Sequence, residues 1–474
     1  MNGAARPLGE RIAGAIPNVV LALFAFVCAV GLWRVLAVIG LHVPLDPNEG
    51  WNAYLAADAI AGHAYPDAHS YVVNNYPPLS FYLVGMFGRV VGDNIIAGRI
   101  ISLVAFLGVA AGLFRAARIM GCRAIHAALA SLLFMAWLIV GTDYVGMNDP
   151  QMLGHALEMA ALLLVLRKSP NDIAAAILFA LALFVKHNLV AMPLAIGLWL
   201  LMEDRTRARR FIGAGFASAL LGLVLFRLAY GSGLLSHLAS ARSYSAALLA
   251  ANVENWLVWG IIPTLIAVGL AHFYRRDKFV VLCLLYAAVA IGVGIAFSGG
   301  AGVDANVFFD ADIALSLCVA MAFTRFGARG DAWQLLVAML LLLPLAAGLT
   351  QASAGEDWRD RDFWLHPMAD EAATAQRDVA FIRGRPGRAL CETLSFCYWA
   401  GKKAEVDTFN TGQQFATGAR SDADLIRQID ARAFAVMEFD TLEPFALGAR
   451  VKAAALRSYR LDHADDDGDW LVPK

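Results

Sequence analysis

The chain has 474 residues, 59% of them hydrophobic and 16% charged, where a water-soluble domain carries about 25% charged residues. Its mean hydropathy of +0.60 and its apolar blocks of roughly 17–24 residues, the length a helix needs to cross a bilayer, exclude a single water-soluble core. With 38 basic and 39 acidic residues the charges balance, which excludes a strongly basic nucleic-acid binder.

The expected architecture is an all-α polytopic membrane protein of about eleven transmembrane helices over residues 1–350, followed by a small α/β domain at 351–474. Apolar blocks fall near 17–40, 95–118, 124–143, 151–167, 172–186, 188–202, 210–230, 256–273, 279–297, 308–326 and 332–350. The first run is too long for a signal peptide and is read as a permanent span. Basic clusters at Arg115/Arg118/Arg123, Arg167/Lys168, Arg205/Arg207/Arg209/Arg210, Arg275/Arg276/Lys278 and Arg325/Arg329 occupy every second loop. Positive loops face the cytoplasm, so the N-terminus is predicted inside and the tail outside. The segment 77–92 is apolar but short, and it breaks this alternation if it spans. It is predicted to enter and leave on one face or to lie flat at the interface.

The outer face then carries a first outer loop at about 41–76, a second acidic loop at about 144–150, and most of the acidic, aromatic and Asn-rich sequence. In the first loop, Asp46 and Glu49 precede a pattern from 48 to 61 that suits an amphipathic helix lying along the interface, with Trp51 and Tyr54 at headgroup level. A carboxylate there can have its pKa raised toward neutrality, as a general base requires. The same residues also read as a helix cap, with Asp46 or Asn48 at the cap and Glu49 in the first turn. Asn75 and Tyr76, both candidates for substrate contact, lead through two prolines into the 77–92 segment, and Tyr76, Phe81 and Tyr82 read either as groove lining or as an aromatic belt.

Asp149 opens the next site, where it could equally cap a helix that has Pro150 at its first position. His155 and Glu158 follow, three apart and so on one helix face, and ionisable groups inside a span are functional candidates. Lys186 and His187 stand at the outer end of a span, where a lysine either snorkels or holds a phosphate. Arg227 and Arg242 are weaker candidates for a similar role. Asp304 and Asn306 lie in a glycine-rich outer loop and are candidates for contacts to sugar hydroxyls, while Asp310 and Asp312 sit near the head of a span. No HExxH, CxxC, GxSxG or Walker pattern occurs, which removes the common hydrolase and ATPase readings.

The tail is read as strands at 389–391, 405–407 and 434–439, with a helix at 422–431 capped by Ser421. Cys391 and Cys397 are the two cysteines placed in an oxidising compartment, and a disulfide between them is expected, against two free buried thiols. Cys28, Cys122, Cys283 and Cys318 read as packing residues.

With these motifs in order, residues 17–350 resemble the membrane glycosyltransferases of the GT-C fold, which include protein O-mannosyltransferases, lipid A aminoarabinose transferases and oligosaccharyltransferases. The resemblance rests on Asn48-Glu49-Gly50-Trp51 in a long first outer loop, Asn75-Tyr76-Pro77-Pro78, and Asn148-Asp149-Pro150 opening a span. It implies a polyprenyl-phosphate sugar donor and an envelope acceptor (glycolipid, lipopolysaccharide, polysaccharide or protein). It also implies inverting transfer at the periplasmic face of a bacterial inner membrane. Glu49 maps onto the usual base and Asp149 onto the second acid, with Lys186 as the donor-phosphate residue. Pro47 and Asn48 separate Asp46 from Glu49, which leaves the base open between the two, with Glu49 preferred. No cofactor is implied, and a metal-free reaction is preferred to one using a divalent metal. A transporter or lipid flippase, or a non-catalytic scaffold of envelope-glycan assembly, are the competing readings. The first would need polar groups at midplane and internal repeats, and no repeat is visible.

Overall fold

A computed structural model of the chain describes residues 8–67, 70–231, 233–240, 242–328, 331–352 and 361–474. Arg329 of the last basic cluster lies outside the described residues.

All eleven apolar blocks are helical. In chain order the helices are α1 (Leu8–Val38), α2 (Asn48–Ile60), α3 (Leu79–Val91), α4 (Asn94–Ile119), α5 (Ala124–Gly141), α6 (Gln151–Leu166), α7 (Asp172–Val185), α8 (Ala191–Glu203), α9 (Arg205–Tyr230), α10 (Gly233–Leu238), α11 (Ala246–Tyr274), α12 (Lys278–Phe297), α13 (Phe309–Gly327) and α14 (Asp331–Ala352). Among the described residues, eight helices are long and apolar enough to cross a membrane: α1, α4, α5, α9, α11, α12, α13 and α14. The blocks expected to span at 151–167, 172–186 and 188–202 form helices of 16, 14 and 13 residues. At about 1.5 Å per residue, α6, α7 and α8 rise roughly 20–24 Å against a hydrocarbon core of about 30 Å. Together with α3 they make a set of four short apolar helices.

Local chemistry fixes several of these starts. Asp93 accepts from the amides of Ile95 and Ile96, Asp204 from Thr206 and Arg207, and Asp277 from Phe279 and Val280. Each is an N-cap that satisfies amides with no partner inside the helix. Asp277 also takes the guanidinium of Arg325 at 2.7 Å. The basic loops gather at one end of the bundle: His126 meets Thr324, Trp199 donates to the Lys278 carbonyl, and Arg207 pairs with Asp172 at 2.7 Å. The loops predicted to share a face meet at the other end, where Asn52 donates to the Asn148 carbonyl and Asn74 donates its amide to His237. The core is built around α13, which is buried along nearly its whole length and packs on α4, α5, α11, α12 and α14.

The tail folds as the expected small α/β unit: α15 (Arg361–Leu365), α16 (Ala369–Arg383), β1 (Arg388–Cys391), α17 (Leu394–Trp399), α18 (Thr408–Ala416), α19 (Ala423–Asp430), β2 (Phe434–Phe439), α20 (Ala449–Ser458), β3 (Tyr459–Asp465) and β4 (Gly468–Pro473). The sheet order is β1-β2-β4-β3, with β1 parallel to β2 and the other pairs antiparallel. Cys391 and Cys397 are joined as a disulfide, and the other four cysteines are buried free thiols. The strand expected at 405–407 is instead a single bridge from Val406 to Tyr71, so this segment pairs with the first loop and not with the sheet. Asp422, not Ser421, precedes α19, although the Ser421 hydroxyl accepts from the Ala423 amide.

The first-loop helix also departs from expectation. Instead of lying open at an interface, α2 is buried between α3, α4 and α17. Trp51 is 6% exposed and donates its indole N–H to the Val73 carbonyl at 3.0 Å. The terminal unit is fastened to this loop and to the start of α4. Tyr54 donates to the Lys402 carbonyl, Trp399 to Asp93, and the Asp407 amide and Thr411 hydroxyl to the Tyr71 carbonyl. At Gly50 a Cβ would collide with the Leu394–Ser395 backbone. Gly50→Val should therefore loosen this contact by roughly 1–3 kcal/mol. The expected result is faster proteolytic release of the terminal unit, with the membrane helices remaining protected.

Candidate active site

The first loop and the opening of α6 come together around one ion pair. Arg99, near the start of α4, sends Nε to Glu49 Oε1 at 2.8 Å and a terminal nitrogen to Glu49 Oε2 at 2.5 Å, and both side chains are 0% exposed. The Leu45 amide donates to Oε2 and the Asn148 amide to Oε1, each at 3.0 Å. A carboxylate offers about four lone-pair sites, and these four bonds occupy them. Two further guanidinium donors go to the carbonyls of Leu41 and Val43. Glu49 thus knots the first loop to α4 and to the 144–150 loop, and it does not line the neighbouring cavity.

Asp149 is likewise engaged. Its carboxylate accepts from Lys186 Nζ at 2.9 and 3.2 Å and from the Gln151 amide at 2.7 Å, so the capping role and an ion pair coexist. Both members of the pair are 3% exposed. Lys186 also lies over the Tyr76 ring, 4.9 Å from its centroid. It therefore backs the wall that Tyr76 forms. His187 stands edge-on to the same ring at 6.3 Å.

A cavity of about 280 Å³ opens between the membrane module and the terminal unit. The first is represented by Asp46, Trp51, Asn75, Tyr76, Arg242 and Asn306, the second by Glu392, Asp407, Phe409, Asn410 and Asp440. Asp46 is half-buried, and its carboxylate accepts from the Asn48 amide at 2.7 Å. Burial pushes its pKa up to about 6, with the Asn48 hydrogen bonds pulling it down and the charges of Asp149 and Glu49 adding to the rise. Across the cavity, burial pushes Glu392 up to about 7 against the hydrogen bond from the Asp440 amide. Arg242 rests over the Phe409 ring at 5.5 Å and makes two long bonds, 3.3 Å to the Ala301 carbonyl and 3.4 Å to Asn410 Oδ1. A guanidinium has five N–H donors, so it keeps capacity for an anion.

Of the residues singled out from sequence, Asp46, Trp51, Asn75, Tyr76, Arg242 and Asn306 line this cavity. Glu49, Asp149 and Lys186 form the buried layer behind it. His155 lies deeper, bonded to Glu158 at 2.9 Å and to Gln151 at 2.8 Å. Asp304 caps the turn at Ala305–Phe308 and lines a separate pocket beside Trp256 and Trp259. Arg227 is exposed on α9, away from the cavity. Sequence reasoning missed Arg99, Glu392, Asp407 and Asn410. Arg99 had a readable signal, a lone arginine one turn inside an apolar block. The tail residues had none, because their place depends on how the terminal unit docks.

No functionally curated protein matches the chain in sequence. Residues 73–236 match the family described as 6-pyruvoyl-tetrahydropterin synthase related domain, membrane protein. In structure the chain is similar to ArnT from Cupriavidus metallidurans in the apo state, with a TM-score of 0.60 at 13% identity over 95% of this chain and 97% of that one. The form of that protein bound to undecaprenyl phosphate matches with a TM-score of 0.59, again at 13% identity and over 95% and 97% of the two chains. The Archaeoglobus fulgidus oligosaccharyltransferase in its apo form matches with a TM-score of 0.56 at 13% identity, over 93% of this chain and 72% of that one. These likenesses run through both the helical module and the terminal unit, and the chain is a membrane protein with the GT-C fold.

Proposed function

We propose that the protein is an inverting glycosyltransferase that moves a sugar from a polyprenyl-phosphate carrier to an envelope acceptor, at the periplasmic face of a bacterial inner membrane. The observation that carries this reading is that Asp46, a carboxylate raised by burial to about 6, and the Arg242 guanidinium line one cavity of about 280 Å³. That volume suits a single sugar ring. Two solved structures of the same fold support the carrier class by their own ligands, undecaprenyl phosphate in one and dolichol-phosphate in the other.

In this reading Asp46 replaces Glu49 as the base, because the Glu49 carboxylate has no lone pair left to take a proton. Asp46 removes the proton of an acceptor hydroxyl as the oxygen attacks the anomeric carbon. The bond from that carbon to the phosphate oxygen breaks, and its electron pair stays on the lipid phosphate. A single displacement inverts the anomeric centre. Arg242 takes the place first given to Lys186 and offsets the charge growing on the phosphate, as a group already in position before the reaction. Trp51 and Tyr76 supply the ring faces against which a sugar stacks. Asn75, Asn306 and Asn410 offer amides to its hydroxyls. Lys186, held by Asp149, fixes Tyr76 from behind. The terminal unit closes the cavity and would meet the acceptor first.

The test is reconstitution in lipid nanodiscs with a panel of polyprenyl-phosphate sugars and an envelope extract. The expected result is release of polyprenyl phosphate together with labelled acceptor. Substrate uptake into vesicles without any dependence on a lipid-linked sugar would replace this reading with a transporter. The pH profile gives a second check. A base must be ionised, so kcat/KM should rise as pH increases from 5 to 7, half-maximal near the value of about 6 held by Asp46. A rate flat across that window would remove Asp46 from the role.

A further inference from the structure

Behind the cavity wall, three ionisable side chains converge where the proposed reaction has no use for them. His155 and Glu158 come from α6 and Asp310 from α13, and one ligand-capable atom from each lies within 4.8 Å of the others. His155 and Glu158 are 0% exposed, and Asp310 is 6% exposed. Among the described residues, neither carboxylate is paired with a lysine or arginine. The Lys186 ammonium is bonded to Asp149. Two carboxylates at this depth call for a compensating positive charge.

The second observation is that Glu158 Oε1 is buried with no hydrogen-bond partner, although Oε2 of the same group bonds His155. Much of a supporting shell is in place. Gln151 lies against Nε2 of His155 at 2.8 Å, so Nδ1 is the nitrogen facing the carboxylates. Turning the Gln151 amide over sets its oxygen, which is buried without a partner, to accept the Nε2 proton and leaves the Nδ1 lone pair for an ion. Tyr286 of α12 donates its hydroxyl to Asp310 Oδ1 at 2.5 Å, which orients that carboxylate. Partners of this kind orient metal ligands.

We propose that His155, Glu158 and Asp310 bind one divalent cation of the zinc class, which staples α6 to α13 inside the membrane module. An ion held about 2.1 Å from each ligand sets ligand atoms roughly 3 to 4 Å apart, which the trio reaches by small side-chain adjustment. One imidazole and two carboxylates favour zinc over soft, thiolate-seeking ions. Two carboxylates with a neutral imidazole also cancel the charge of a divalent ion, which suits an apolar surround. The trio does not line the cavity, so the ion takes no part in the proposed reaction; with three protein ligands its fourth position is left to a water. It would fix the start of α6, and with it Asn148 and Asp149, while Phe309 beside Asp310 packs edge-on to Tyr144 at 5.3 Å in the cavity wall.

The test uses the full chain without a histidine tag, in detergent micelles. It carries His463→Ala, because Asp378, His463 and Asp465 of the terminal unit form a second group with ligand spacing. The protein is stripped with chelator, exposed to zinc, desalted and assayed by mass spectrometry for metal. The expected content is about one zinc per chain, falling at least tenfold in Asp310→Asn and Glu158→Gln. The zinc-edge X-ray absorption spectrum of the His463→Ala protein should show nitrogen and oxygen ligands with a single imidazole. That spectrum does not depend on either carboxyl variant folding. Folded His463→Ala protein holding less than about a tenth of a zinc per chain would overturn the proposal. So would sulfur or several imidazoles in the first shell, or unchanged zinc in both carboxyl variants. An infrared band of protonated carboxyl groups in the zinc-free protein, insensitive to added zinc, would identify a proton-sharing pair instead.

Discussion

Replacing Arg99 with methionine should unfold more of this protein than any substitution in the cavity. The change leaves the Glu49 carboxylate 0% exposed and without its counter-charge, and breaking a buried pair from one side costs about 3–5 kcal/mol. The loss should appear as a lower thermal midpoint in detergent, accompanied by loss of all activity. The same knot binds residues far apart in sequence, since Glu49 also holds the Leu45 and Asn148 amides. Glu49→Gln should therefore destabilise in the same direction. The double variant Glu49→Gln/Arg99→Met should recover part of the cost, because no buried charge is left unpaired. A double-mutant cycle on thermal unfolding measures this coupling. Additive losses would show that the pair is not a unit.

The second large effect concerns chemistry alone. Asp46→Asn keeps the shape of the side chain and its acceptor oxygen for the Asn48 amide, so folding should be unchanged. Loss of a positioned base costs about 10²–10⁴ in rate. The loss should fall on kcat more than on KM, because the base acts in the transition state. The contrast between the two acids is informative: Glu49→Gln should lose stability and rate together, and Asp46→Asn should lose rate alone.

Much of the architecture was legible because bilayer-length apolar runs and loop charge follow simple physics. The helix expected from 48 to 61 is Asn48–Ile60, and the strand expected at 434–439 is Phe434–Phe439. The terminal hairpin Tyr459–Asp465 to Gly468–Pro473 was not read. Its acidic turn masked the alternation on either side. The segment 405–407 has the composition of a strand, yet its partner is Tyr71, more than three hundred residues away. No local pattern carries that information.

The acids of the candidate site divide for the same reason. Sequence identified Asp46 and Glu49 as a cluster on the first loop, and preferred Glu49 by resemblance. Which of them faces open space depends on Arg99, whose guanidinium reaches back from the start of α4. Asp149 and Lys186 stand on separate spans, 37 residues apart in sequence, and no local pattern shows that they are one pair at 2.9 Å. Glu392, Asp407 and Asn410 reach the cavity through the docking of the terminal unit, which rests on the close approach of Gly50 to the Leu394–Ser395 backbone and on the bonds of Asp407 and Thr411 to the Tyr71 carbonyl.

The most direct test of the account is single-turnover transfer from a radiolabelled polyprenyl-phosphate sugar, comparing the wild type with Asp46→Asn and Arg242→Ala at matched folding. The account predicts transfer by the wild type, a loss of about 10²-fold or more in Asp46→Asn, and a comparable loss in Arg242→Ala. Transfer at equal rates in all three proteins would contradict it and take the chemistry out of this cavity.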